Sequence, residues 1–156
     1  MIEKNWKEII KPTKLEIVED TYSSTYARFN AQPLERGFGV TIGNSLRRIL
    51  LSSIYGSAII GVKFDESLGV LHEFSSISGV YEDVTDIILN LKKVVLRMHS
   101  DKPQTVYLEK KGPCEITAGD IEATAKIEVI NPEQVIATIQ NDSTVKLELR
   151  VDWGRG

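Results

Sequence analysis

The pattern of apolar residues shifts from helical spacing to short strands near Ser53 to Ser57, and that boundary limits the fold more than any other feature. Ahead of it, the stretch PLERGFGVTIGNSLRRILLSS (33–53) leads into Ile42, Leu46, Ile49, Leu50 and Ile54, one stripe at helical spacing. Beyond it, residues 58–64, 70–74, 106–110, 127–130, 135–139 and 145–151 alternate or run apolar as short strands do. The segments KGP, NPE and QNDS break the later strands, and DESLG is placed to close a hairpin between 58–64 and 70–74. One helix interrupts this part: Val84, Ile87, Ile88, Leu91, Val94, Val95 and Met98 form a second stripe, predicting a helix from Asp83 to about Met98. Asp83 suits its N-cap, and Arg97 and His99 suit the negative end of its dipole. Near the start, 14–18 and 25–31 read as two strands joined by a turn at 19–24, with Pro33 ending the second. The predicted class is α+β, strand-heavy, with residues 1–54 in one part and 55–156 in a second, strand-rich part.

A chain of 156 residues with 42% hydrophobic and 26% charged residues is ordinary for a globular protein with a packed core. Nineteen basic residues against 22 acidic ones leave a net charge of −3, with no basic run longer than two residues. That balance excludes a dedicated nucleic-acid binder, which needs a basic excess to neutralise phosphates. No apolar run approaches the roughly 20 residues of a membrane span, and residues 1–6 are too polar for a secretory signal. The single Cys114 has no internal disulfide partner, so a reducing compartment, the cytoplasm, is expected.

The chemistry-bearing residues do not assemble into a reaction centre. Gly37, Gly39 and Gly43 are spaced G-x-G-x-x-x-G, whereas a dinucleotide fingerprint needs G-x-G-x-x-G after a strand and a P-loop needs Gly-Lys-Ser/Thr. These glycines read as a structural turn; a nucleotide- or phosphate-binding protein using the 37–43 loop is the alternative reading. His72 and Glu73 in LHEFSS lack a second histidine at zinc-ligand spacing, and neighbours on a strand face opposite ways. His72 therefore reads as structural, as does Cys114, which has no metal-spaced partner. Glu82, Asp83 and Asp86 sit where a helix dipole alone accounts for them. No metal, cofactor or catalytic set is predicted. The first helix says more: Asn44, Arg48, Leu51 and Tyr55 lie roughly opposite its apolar stripe, so it presents a partner surface on both sides. Arginine is favoured at such anchors because its planar fork pairs while its stem packs. The residues alone describe a binding or assembly protein.

The same segments carry a family resemblance. PLERGFGVTIGNSLRRILLSS, GVLHEFSSISGVYEDVTDIILNLK, GPCEITAGDI and VINPEQVI, in that order, resemble the N-terminal domain of the bacterial RNA polymerase alpha subunit, from about residue 11 to residue 156. DESLG resembles a short insertion that lengthens a loop. The resemblance implies an assembly scaffold for transcription: a homodimer of alpha subunits on which beta and beta-prime assemble, with no catalytic residue, cofactor or DNA contact of its own. It implies a dimerisation subdomain, here 1–54, using Ile42, Leu46, Ile49 and Leu50, into which a strand-rich subdomain, here 55–156, is inserted. It implies beta contacts at Arg48 and Leu51, with His72, Glu73 and Ser75 in the same region, and a beta-prime contact at Lys92. Family members continue past the equivalent of WGRG, so the chain reads as a fragment whose dimerisation is weakened or lost.

Overall fold

The computed structural model describes residues 8–122 and 124–155. The chain divides into two units, one ending at Ser53 and the other beginning at Ile54.

In the first unit, β1 (Lys14–Ile17) and β2 (Phe29–Gln32) form an antiparallel pair, with Lys14 opposite Gln32 and Ile17 opposite Phe29. The second strand starts later than its composition predicts. Ser23 accepts hydrogen bonds from the backbone of Thr25 (3.3 Å) and Tyr26 (3.0 Å), holding 23–26 in a turn. Pro33 follows directly on β2. The helix α1 spans Phe38–Ser52. Its N-cap is Gly37 at φ 91°, a left-handed conformation that a residue with a Cβ adopts only with strain. No residue of α1 is buried in this chain, so its apolar stripe exists but nothing described covers it.

The second unit holds the core. Its five-stranded antiparallel sheet has the order β5-β9-β3-β4-β7, where β3 is Tyr55–Phe64, β4 Leu96–Met98, β5 Gln104–Lys111, β7 Ile127–Val129 and β9 Thr144–Arg155. A separate two-stranded sheet pairs β6 (Cys114–Thr117) with β8 (Val135–Ile139). The alternation in β9 decides which way the sheet faces. Val145, Leu147, Leu149 and Val151 are buried, while Lys146, Glu148, Arg150 and Asp152 turn outward. These residues meet Val106 and Leu108 of β5, and the core is completed by Ile116, Ile136 and Ile139 of the small sheet and by the helix α2 (Val84–Leu91). A bulge between Ile59 and Gly61 shifts the pairing of β3 against β9 and leaves Ile60 exposed.

Two predicted elements take other forms. The helix α2 covers only Val84–Leu91, with Asp83 as its N-cap accepting from the Asp86 N–H at 2.7 Å. Val84, Ile87 and Leu91 are its buried face. Past Leu91 the chain becomes strand β4, because Asn131 supplies the bonds a further turn would have made. Its Oδ1 accepts from Val95 N (2.8 Å) and its Nδ2 donates to the Lys93 carbonyl (3.0 Å). Leu96 and Met98 then fill the core by alternation, and Leu96 to Met98 pair with Val129 to Ile127. Arg97 and His99 consequently do not cap a helix; both face Glu128, at 3.3 and 3.8 Å. Residues 70–74 are not a strand, so DESLG closes no hairpin with them. Asp65 accepts from the Ser67 N–H (3.0 Å) and hydroxyl, folding Glu66–Leu68 into a 3-10 turn that Gly69 ends at φ 65°. That hydroxyl and N–H hold the Asp65 carboxyl below its ordinary value.

Candidate functional site

Two surfaces carry the residues that the sequence singles out. On α1, Ile42, Leu46, Ile49 and Leu50 are all exposed, between 40% and 63%. Leu51 is 66% exposed and Arg48 is exposed beside it one turn of helix away. Ser45 donates to the Thr41 carbonyl (2.9 Å) and Ser52 to the Arg48 carbonyl (2.6 Å), so both hydroxyls turn back onto the helix. Seven large apolar positions on a 15-residue helix, with none buried, are more than single exposed leucines explain. Gly37 makes the turn before the helix. A Cβ at Gly39 or Gly43 would meet no atom within 4 Å, so no close backbone approach within the chain explains these two glycines.

The other surface is the loop from Leu71 to Asp83. Ser75 organises its first half: its hydroxyl accepts from Leu71 N (3.4 Å) and His72 N (3.3 Å), while its own N–H donates to the His72 carbonyl at 3.0 Å. His72 Nδ1 accepts from Phe74 N (3.2 Å), so the ring is an exposed turn-maker and not a core histidine. Glu73 presents its carboxylate to solvent while its carbonyl accepts from Thr85 Oγ1 at 2.8 Å. His72, Glu73 and Ser75 are therefore brought together in one hydrogen-bonded turn. The consequence for their neighbours is unusual: Leu71 is 91% exposed, Phe74 76% and Tyr81 75%. These three escape the sequence reading, which takes 70–74 for a strand and singles out neither its apolar residues nor Tyr81.

Lys92 stands at the C-terminal end of α2, exposed, its N–H bonded to the Ile88 carbonyl at 3.1 Å. Lys93 beside it donates to Asn90 Oδ1 at 3.2 Å. Among the described residues no group of three or more His, Cys, Asp or Glu side chains is placed to hold a metal ion. A concavity of about 540 Å³ on the outer face of β3, β5 and β9 holds the Lys146–Glu109 ion pair at 2.9 Å. The hydrogen bond to Glu109, then its charge, raises the Lys146 ammonium above its ordinary value. Among the described residues no helix is long and apolar enough to cross a membrane.

Residues 59–156, well over half of the chain, match the RNA polymerase Rpb3/RpoA insert domain. The chain belongs to that family. The insert domain thus begins within β3 and takes in the rest of the five-stranded sheet, the small sheet, α2 and the 71–83 loop. This settles the broad expectation: an α+β domain of an RNA polymerase subunit, which works in contact with other subunits of the enzyme. The insert-domain match starts after α1, so the surface carrying Arg48 and Leu51 lies outside it.

Proposed function

We propose that this chain is an alpha-type assembly subunit of DNA-dependent RNA polymerase, a platform that binds the beta and beta-prime subunits and contributes no catalytic residue. The observation that carries this reading is the insert-domain match over residues 59–156, directly preceded by a helix whose large apolar residues are all exposed. In this reading residues 1–54 belong to the dimerisation part and 55–156 to the inserted part. Ile42, Leu46, Ile49 and Leu50 meet a second alpha chain. Arg48 and Leu51 meet beta, joined by His72, Glu73 and Ser75 of the loop, and Lys92 meets beta-prime. The work is done in the cytoplasm, where transcription occurs in bacteria.

Arg48→Ala tests the assignment, because the exposed guanidinium makes no hydrogen bond or ion pair within the described residues and its loss leaves the fold intact. Truncating an interface anchor costs about 2 kcal/mol or more, so recovery of beta with the variant subunit should fall roughly thirtyfold at limiting concentration, by the rule of about 1.4 kcal/mol per tenfold. Co-purification of tagged wild-type and variant subunits with beta measures this. Equal recovery of beta would remove Arg48 from the interface.

A further inference from the structure

The polar groups that hold the 71–83 loop have a geometry of their own. Glu82 is half-buried and both of its carboxylate oxygens go to one residue of β8: Oε2 accepts from Thr138 N at 2.6 Å and Oε1 from Thr138 Oγ1 at 3.1 Å. No cation pairs with this carboxylate among the described residues, so neutralising a charge is not its task. The backbone on either side runs along β8 as well, with Tyr81 N donating to the Thr138 carbonyl (2.9 Å) and Gln140 N to the Gly79 carbonyl (2.8 Å). Gly79 makes this close approach at φ 83°, and a Cβ there would collide with the Asn141 side chain. At the other end, Val84 N donates to the Ser75 carbonyl at 3.1 Å. The loop is thus fastened at both ends to the rigid sheet and helix. Yet while Ile77 of the loop enters the core, Leu71, Phe74 and Tyr81 are held out in water, where a loose loop would fold them back.

We infer that Glu82 is a positioning residue: its two-oxygen grip on Thr138 fixes the 71–83 loop so that Leu71, Phe74 and Tyr81 are presented, already ordered, to an apolar surface of the beta subunit. This rests on the assembly reading for the partner, whereas the grip itself rests on the hydrogen bonds alone. Preorder matters because a loop that orders only on docking gives up part of its contact energy to lost conformational freedom, and slows association.

Hydrogen exchange on the whole chain, read by mass spectrometry, separates the two parts. Glu82→Ala should speed exchange of the 71–81 amides at least tenfold while β9 stays protected. Thr138→Val should do so partially, and Thr138→Ser should behave as wild type. Association with purified beta subunit, followed by biolayer interferometry, should slow about tenfold for Glu82→Ala and recover with Glu82→Gln, which keeps an acceptor oxygen. Unchanged exchange at 71–81 overturns the grip, and so does equal acceleration in β9, which would make Glu82 a general structural residue. Faster loop exchange with unchanged association overturns the docking role. If the wild-type chain does not bind beta at all, the assembly reading falls, and the exchange result still decides the grip.

Discussion

Asp120 shows how much one side chain organises. Its Oδ2 accepts from Lys110 Nζ (2.6 Å), Thr117 N (2.7 Å) and Thr117 Oγ1 (3.1 Å), joining β5 to the turn after β6. Burial would raise this carboxyl, but the bonds from Lys110 and Thr117 outweigh it and hold it below the ordinary carboxylate value. A carboxyl depressed in the folded state gives stability that is fully present above its unfolded value, near pH 4, and is lost as pH falls through the folded one. Asp120→Asn should therefore cost about 1–2 kcal/mol at pH 7, and the difference from wild type should shrink below pH 4. Urea midpoints taken across that range check both the size and the sign. Gly79 gives a second single-residue expectation. Alanine there meets both a left-handed backbone and the Asn141 side chain, so Gly79→Ala should cost about 1–3 kcal/mol, measured by chemical denaturation. Ordinary stability for Gly79→Ala would mean that the loop moves away from β8 at no cost.

Elements were legible in the sequence where local periodicity and tertiary pairing agree. The strand at 135–139 has the predicted ends, and α1 follows its stripe, with a start fixed by Gly37. The stripe from Val84 to Met98 misleads because Val94, Leu96 and Met98 fit a strand's alternation as well as most of a helix's spacing. The arbiter is Asn131, more than thirty positions away in sequence. No local window contains it. Asn131→Ala should expose this dependence by costing about 1–2 kcal/mol, since the Val95 N–H and the Lys93 carbonyl each lose a hydrogen bond. Asn131→Asp, which keeps the acceptor for Val95 and loses the donor to Lys93, should fall between. The misreading of 70–74 has the same root: one serine hydroxyl captures the N–H groups that a ladder would have used. The candidate site was legible to a matching degree. Arg48 and Leu51 follow from helix geometry, whereas the exposure of Leu71, Phe74 and Tyr81 depends on that turn and could not be read from alternation.

Across the molecule, every buried core residue among those described lies between Ile77 and Val151, inside the second unit. Residues 54–156 expressed alone should therefore unfold in one cooperative transition within about 0.5 kcal/mol of the full chain, as expected for changes away from a core. Urea titrations of the two proteins side by side decide this, and a clearly earlier midpoint for 54–156 would mean that the first unit stabilises the second. The order of the strands has a further consequence, one of time. Strand β9 stands between β5 and β3, and Tyr55 lies opposite Arg155, 100 residues later. On the ribosome, β3 and β5 emerge long before the strand that joins them. Until β9 arrives, their backbone edges and the apolar residues meant for its inner face have no neighbour. The sheet is thus closed by a late, long-range event of the kind that slows folding. From the synthesis of β5 until β9 arrives, the place between β5 and β3 stays empty, and that interval is when a chaperone would find the nascent subunit.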